Sequence, residues 1–464
     1  MTLIKSISGI RGTIGGKTGD NLTPLDAVKF ASAYGFWIMK RNPKTEKLSV
    51  VLGRDARISG KMISSLVANT LVGLGIDVID LGLSTTPTVE VAVPLEHANG
   101  GIIITASHNP KQWNALKLLN EKGEFLNGTD GAEILEIAEG DDLSFTDVDH
   151  LGKYRKKKDF MNRHIEEVLK LNLVDIASIK NANFKVVVDA VNSTGGIVIP
   201  ALLDRLGVSC IKLYCEPNGE FPHNPEPLKE HLGDISKLVV KEGADFGIVV
   251  DPDVDRLALV CEDGSMFGEE YTLVACSDYV LSRTKGNTVS NLSSSRALRD
   301  ITQKHGGNYE ASAVGEVNVV ELMKKNNAII GGEGNGGIIY PSSHYGRDSL
   351  VGVALFLSHL ANLKVSCKAL RDSYPSYFMS KNKIELTPQI DVDKILGMMA
   401  AKYQEEDVST IDGVKIDFAE EWVHLRKSNT EPIIRVYTES SSQAKADDLA
   451  KRIMSEINEI AENS

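Results

Sequence analysis

Three acidic residues at alternate positions, Asp251, Asp253 and Asp255 in "DPDVDR", follow directly on the apolar run "GIVV". Along an extended segment alternate side chains point the same way, so these carboxylates are expected to crowd together and repel. A divalent cation relieves that repulsion. Oxygen-only donors select a hard ion, and three protein oxygens leave octahedral positions open for a substrate or phosphoryl oxygen, which suits Mg²⁺. The calcium EF-hand begins with the same spacing and even finds Glu262 at position twelve. It fails because Arg256 stands where glycine is required and "LALVC" reads as a strand. A solvated acidic cluster is the commoner meaning of such a run, but apolar strands on both sides make it harder to accept here.

Ser107, in "TASHNP", follows the apolar run "GGIII" and so stands at the exposed end of a buried strand. A lone serine is a poor nucleophile unless a base or an attached phosphoryl group changes its chemistry. The hydrolase elbow G-x-S-x-G is absent, since His108 and Asn109 follow, and no Ser-His-Asp order can be assigned. A phosphorylated Ser107 fits the surrounding pattern. Mg²⁺ on the aspartates would hold its oxygens, with Ser107 itself completing the metal set, and Arg11 and Lys117 would neutralise charge.

Two further loops offer binding groups. "RKSNTEPIIRVYTES" gathers Arg426, Ser428, Asn429, Thr430 and Arg435, a plausible phosphate cradle because arginine grips phosphate oxygens in pairs. A turn braced by its own Ser-Asn-Thr side chains reads the same way. "GGEGNGG", Gly331 to Gly337, lets a ligand approach the main chain and offers Glu333 and Asn335 to sugar hydroxyls, with a plain turn as the simpler meaning.

These loops need elements to hold them. Apolar strands alternate with amphipathic helices, which predicts α/β units with mainly parallel sheets. The order strand, polar turn, helix, glycine, strand recurs from Leu48, Phe184 and Asn287. Each repeat reaches a third strand ending in one of the loops "TASHNP", "DPDVDR" and "GGEGNGG". Because ligands collect beyond the carboxyl ends of strands in open α/β sheets, three such loops can face one cleft. The tail after residue 370 reads instead as a small α+β domain with an antiparallel sheet. The expected domains are 1–150 with the serine loop, 151–255 with the metal loop, 256–370 with the sugar loop and 371–464 with the phosphate cradle.

The chain has 464 residues, 42% hydrophobic and 25% charged, enough for roughly three or four domains. Its net charge of -12 argues against a nucleic-acid partner held on a general basic surface. Five cysteines, odd in number and without a C-x-x-C pair, read as reduced core residues. No apolar run approaches the ~20 residues that span a bilayer, so the expectation is a cytoplasmic protein without a membrane partner.

Together "SGIRG", "TASHNPKQWNALKL", "GEFPHNPEP", "DPDVDR", "GGEGNGG" and "RKSNTEPIIRVY" resemble the α-D-phosphohexomutase family, in the family's order and across essentially the whole chain. The resemblance implies a four-domain α/β enzyme, three similar mixed-sheet domains and a C-terminal α+β domain around a central cleft. It implies a phosphoserine at Ser107, Mg²⁺ on Asp251, Asp253 and Asp255, and Arg256 near the phosphoryl group. Lys117 would be the general acid or base, with Arg11 and His108 assisting. Glu333 and Asn335 would read the sugar, and Arg426, Ser428, Asn429, Thr430 and Arg435 would hold the non-reacting phosphate. The activity so implied exchanges the 1- and 6-phosphates of a hexose through a 1,6-bisphosphate, which also serves as activator, in a monomer or homodimer.

One departure bears on the sugar. Many bacterial members carry "GEMSGH" or "GEQSGH" where this chain has Asn335 and Gly337, so a possible acid/base histidine is missing. The "NGG" form is more similar to phosphoglucosamine mutases and two-sugar mutases. Glucosamine 6-phosphate is therefore the first expected substrate, with phosphoglucomutase/phosphomannomutase activity the alternative. A phosphatase and a non-catalytic sugar-phosphate sensor are the alternatives of other classes.

Overall fold

The computed structural model describes residues 2–6, 9–140, 144–385, 391–427 and 433–462. The repeat read from the sequence is a repeat of strand order. Strand Ser49–Arg54 lies between Asp77–Leu83 and Gly100–Ile104. Lys185–Asp189 lies between Ser209–Leu213 and Phe246–Val250, and Asn287–Asn291 between Tyr309–Ser312 and Ala328–Glu333. All six pairings are parallel. Helices Gly60–Gly73, Gly195–Leu206 and Ala297–Lys304 follow the central strands. Each is closed by a glycine in the left-handed region, Gly75, Gly207 and Gly306, with φ of 84°, 71° and 70°. A side chain there would strain the turn that sends the chain into its next strand.

Antiparallel neighbours make the first two sheets mixed. Trp113–Leu119 pairs against Gly100–Ile104 and then against Gly9–Thr13, while Leu257–Cys261 pairs against Phe246–Val250. The first sheet has seven strands and is covered on both faces, so its central strands are apolar at successive positions. Val50, Leu52, Ile102 and Ile104 enter one core with Phe30, Tyr34, Ile63 and Leu71. Val51 and Ile103 enter the other with Val89, Ala92 and Val93 of helix Thr86–Leu95. Helix Pro24–Arg41 is started by Pro24 and by a capping box between Thr23 and Asp26.

By internal packing the chain forms two compact units, Met1–Val280 with Asn335–Leu370, and Leu281–Gly334 with Arg371–Ser464. The second unit contains the antiparallel sheet expected of the tail. Its order is Phe378–Glu385, Ile433–Ser440, Trp422–Lys427, Val414–Asp417 and Asp407–Ser409. Ile395 and Met399 of helix Val392–Lys402, with Ile453 and Ile457 of helix Gln443–Glu462, pack on Val423, Leu425, Ile434 and Val436. Among the described residues no helix is long and apolar enough to cross a membrane.

Candidate active site

Strand Gly100–Ile104 is buried along its length and turns sharply after Ala106, where Ser107 takes φ 48°. Few non-glycine residues adopt this region, and they do so where surrounding contacts over-determine the backbone. Those contacts are visible here. The Ser107 N–H donates to Thr105 Oγ1 at 3.0 Å, and the Thr105 hydroxyl donates to Asp55 Oδ2 at 2.7 Å. The buried Arg57 guanidinium donates to the carbonyls of Ser107, Asn109, Pro110 and Trp113, and its Nε donates to Asp55 Oδ2 at 3.0 Å. Replacing Arg57 with methionine would leave the buried Asp55 carboxyl without its cation and strip four carbonyls of a donor. We expect a loss of about 3–5 kcal/mol, read as a lower urea midpoint for the unit that contains the serine loop.

The metal loop departs from the extended geometry expected of "DPDVDR". It is a turn. Val254 has φ 64°, and its N–H donates to the Asp251 carbonyl at 3.2 Å. Asp251 Oδ1 accepts from the N–H groups of Asp255 at 3.1 Å and Arg256 at 3.2 Å. The carboxylates converge because the chain wraps around the Asp251 side chain, as aspartate does when it bonds the backbone ahead of it. Ser193 and Thr194 hold the turn from outside, their hydroxyls donating to the Pro252 carbonyl at 2.7 and 2.9 Å.

Asp251, Asp253 and Asp255 are fully buried, and one ligand atom from each lies within 4.8 Å of the others. Burial, then Asp253 and Asp255, push the Asp251 carboxyl well above its ordinary pKa. Burial also opposes the charge on Asp253, but the Lys117 ammonium and bonds from Lys117 and Thr86 outweigh it and hold that carboxyl well below the usual range. Asp253 Oδ1 and Asp255 Oδ1 have no hydrogen-bond partner among the described residues. Buried carboxylate oxygens left open and crowded are costly; a hard divalent cation fits them.

Ser107 meets this loop directly, its Oγ donating to Asp251 Oδ2 at 2.7 Å. Lys117, opposite Ile103 in the neighbouring strand, places Nζ 2.7 Å from Asp253 Oδ2 and 3.3 Å from Asp255 Oδ2. Although burial lowers its pKa, those two aspartates raise it further, so Lys117 is charged. His108 Nδ1 is 3.5 Å from Ser107 Oγ. Burial, then Arg256 and Arg11, push its pKa well below the ordinary value, so it is a neutral imidazole at pH 7. Arg11 lies on strand Gly9–Thr13 opposite Ala115, and burial followed by the charge of Arg256 lowers its pKa. Arg256 pairs with Glu226 at 3.2 Å, which gives "GEFPHNPEP" a task; its His223 pairs with Asp189 at 3.0 Å.

Of the two residues expected to read the sugar, Asn335 is held by its own turn and Glu333 by distant groups. Asn335 Oδ1 accepts the Gly337 N–H at 3.1 Å. In the second unit, buried Glu333 accepts from Asn291 Nδ2 at 2.8 Å and the Gly315 N–H at 3.2 Å. There too Arg426 and Arg435 stand directly opposite each other on adjacent strands. Arg426 Nε reaches Asp412 at 2.9 Å, while Arg435 is exposed. Like charges facing across a ladder repel, and an anion between them removes the penalty. Ser428, Asn429 and Thr430 lie outside the described residues.

Four family models match in order. Those for phosphoglucomutase/phosphomannomutase alpha/beta/alpha domains I, II and III cover residues 3–144, 162–264 and 268–377, and that for the C-terminal domain covers 383–456. The chain belongs to this family. It is similar to a phosphoglucomutase/phosphomannomutase of Thermococcus kodakarensis, 35% identical over 441 residues that make up 94% of this chain and 95% of the relative. It is also similar to a phosphoglucosamine/phosphogalactosamine mutase of Sulfurisphaera tokodaii, 30% identical over 461 residues, 98% of each chain. A crystal structure of a phosphoglucomutase/phosphomannomutase family protein from Burkholderia thailandensis superposes with a TM-score of 0.82 at 25% identity, covering 98% of both chains. The protein is thus a phosphohexomutase, an isomerase that works by phosphoryl transfer.

Sequence reasoning missed four residues that touch this candidate site. Asp55 and Arg57 brace the serine turn, Thr86 Oγ1 donates to Asp253 Oδ2 at 2.6 Å, and Arg347 reaches Asp255 Oδ2 at 2.8 Å. Only "GRDAR" carried a signal, since its polar residues directly follow a buried strand.

Proposed function

We propose that the protein interconverts hexose 6-phosphate and hexose 1-phosphate through a phosphoryl group carried on Ser107, with glucosamine phosphate as the first substrate. The observation that carries this reading is the Ser107 Oγ contact with Asp251 at 2.7 Å, inside a buried set of three aspartates and Lys117. The phosphoryl group passes from Ser107 Oγ to the free hydroxyl of the sugar monophosphate: the serine O–P bond breaks as the sugar O–P bond forms, and the hydroxyl proton ends on Ser107 Oγ, giving the 1,6-bisphosphate and a serine hydroxyl. After the intermediate turns over, its other phosphate returns to Ser107 and the product departs. Asp251, Asp253 and Asp255, beside Ser107, would hold Mg²⁺, which would supply charge neutralisation at the transferring group.

Lys117 is the proton shuttle: charged beside Asp253 and Asp255, it gives a proton to Ser107 Oγ as the phosphoryl group departs, and the amine so left takes the proton of the attacking sugar hydroxyl. Arg11 and Arg256 stabilise the transferred group, and neutral His108 orients it. Glu333 and Asn335 read sugar hydroxyls. Arg426 and Arg435, with Ser428, Asn429 and Thr430, hold the phosphate that is not reacting, so one clamp serves both orientations of the sugar.

Phosphoglucomutase/phosphomannomutase activity is the second reading, favoured by the name and 35% identity of the Thermococcus kodakarensis relative. Turnover of glucosamine, glucose, mannose and N-acetylglucosamine phosphates, each with a trace of the matching 1,6-bisphosphate to load Ser107, separates the two. We expect the highest kcat/KM with glucosamine 6-phosphate; a higher value with glucose or mannose phosphate transfers the assignment. Release of inorganic phosphate faster than isomerisation of every sugar overturns both.

A further inference from the structure

Arg347 belongs to none of the motifs on which the functional reading was built, yet it enters the carboxylate cluster. The residue is buried, with a relative exposure of 8%, and its guanidinium donates to Asp255 Oδ2 at 2.8 Å. Lys117 Nζ approaches the same oxygen at 3.3 Å, so two cations share it. Asp255 Oδ1 is left without a hydrogen-bond partner among the described residues. The charge of Arg347 is felt at Arg11, His108 and Lys117, the groups already placed around the reacting serine.

The space Arg347 occupies is informative. A Cβ built on Gly337 would lie 2.3 Å from Arg347 Cδ and 3.0 Å from its Cγ. No side chain at 337 can coexist with the arginine in this position. The room that a side chain at 337 would need is filled by a cation from ten positions further along.

The loop that delivers Arg347 is fastened by the next residue. Asp348 Oδ2 contacts His164 Nε2 at 2.9 Å and His344 Nε2 at 3.1 Å. Its Oδ1 accepts the N–H groups of Leu350 and Val351, starting helix Ser349–Leu363. His164 Nδ1 lies 3.0 Å from Thr88 Oγ1, and His344 Nδ1 lies 3.4 Å from Glu90 Oε2. Thr88 and Glu90 sit on helix Thr86–Leu95, whose Thr86 bonds Asp253. One buried network therefore ties the segment bearing Arg347 to the helix bearing Thr86, and both ends touch the aspartates.

We infer that Arg347 is a further residue of the phosphoryl-transfer site, orienting Asp255 and adding a permanent positive charge beside Lys117, and that position 337 is glycine because Arg347 fills the space of a side chain there. The inference rests on the phosphoryl-transfer reading above. A guanidinium does not give up its proton in proteins, so Arg347 supplies charge and geometry while proton transfer stays with Lys117. A plain structural counter-ion for Asp255 would affect folding and leave the chemical step alone.

The test uses the full chain with Ser107 loaded with ³²P-phosphate, following transfer to glucose 1-phosphate by rapid quench. Mg²⁺ affinity is measured in parallel by calorimetry. The parent must first interconvert hexose phosphates; if it does not, the functional reading fails before Arg347 is addressed. Arg347→Gln is expected to slow transfer by about 10²–10³-fold while the sugar phosphate KM stays within about threefold of the parent. Arg347→Lys should recover about tenfold of that loss.

Gly337→Ala, which keeps the arginine but displaces it, is expected to slow transfer by about tenfold in the parent and to add nothing in Arg347→Ala. A folded Arg347→Gln variant that transfers within about threefold of the parent overturns the role in catalysis. An equal cost of Gly337→Ala in both backgrounds overturns the shared space. Should Arg347→Gln fail to fold, Arg347→Lys and Gly337→Ala carry the test, and full transfer rates in both reject the inference.

Discussion

Replacing Ser107 with alanine is expected to lower hexose phosphate turnover by ~10⁴-fold or more, while sugar phosphate still binds. The size follows from losing the only atom proposed to accept and return the phosphoryl group; among the described residues no neighbouring side chain stands in its place. His108 is a neutral imidazole 3.5 Å away, and Asp251 accepts a hydrogen bond from the Ser107 hydroxyl at 2.7 Å. The backbone should survive, since the left-handed turn at 107 is fixed by the Ser107 N–H and C=O, bonded to Thr105 and Arg57, and not by the side chain. Alanine and serine both carry a Cβ, so the left-handed turn costs the variant about what it costs the parent. Turnover measured with bisphosphate present, together with intact-mass analysis for one phosphoryl group per chain, checks the result. A fully active alanine variant, or parent protein that acquires its phosphate at another residue, ends the phosphoserine reading.

The sequence and the structure agree where residue type alone fixes the chemistry. Three aspartates within five residues, flanked by apolar strands, cannot be buried cheaply without a cation, and they are buried. The means of convergence was not legible. Alternation suggested an extended segment, whereas Val254 in the left-handed region and the bonds to Asp251 Oδ1 make a turn. Strand and helix order was readable because each repeat closes on a glycine that the backbone requires. What the supports of the site hold was not readable, since their partners are distant. Arg57 bonds the serine loop about fifty positions on, and Arg347 bonds Asp255 92 positions back. "GEFPHNPEP" was recognisable as a motif without a task until Glu226 was seen to pair with Arg256.

Asp253→Asn is expected to weaken Mg²⁺ binding by about 10²-fold and turnover by about 10³-fold. Asparagine keeps the shape and cannot keep the function in either orientation. With its carbonyl towards Lys117 and Thr86, which now reach Oδ2 at 2.7 and 2.6 Å, its NH₂ group occupies the place of the open Oδ1. A donor then faces the cation site. Turned the other way, the NH₂ group confronts the Lys117 ammonium, and Lys117 retains only Asp255 at 3.3 Å. Both arrangements also remove one negative charge from the set that attracts a divalent ion. The effect should therefore appear as a joint shift: a higher Mg²⁺ requirement and a lower maximal rate at saturating Mg²⁺, with circular dichroism unchanged. Rates that recover fully at high Mg²⁺ would confine Asp253 to metal binding, and an unaltered Mg²⁺ requirement would place the metal on other residues.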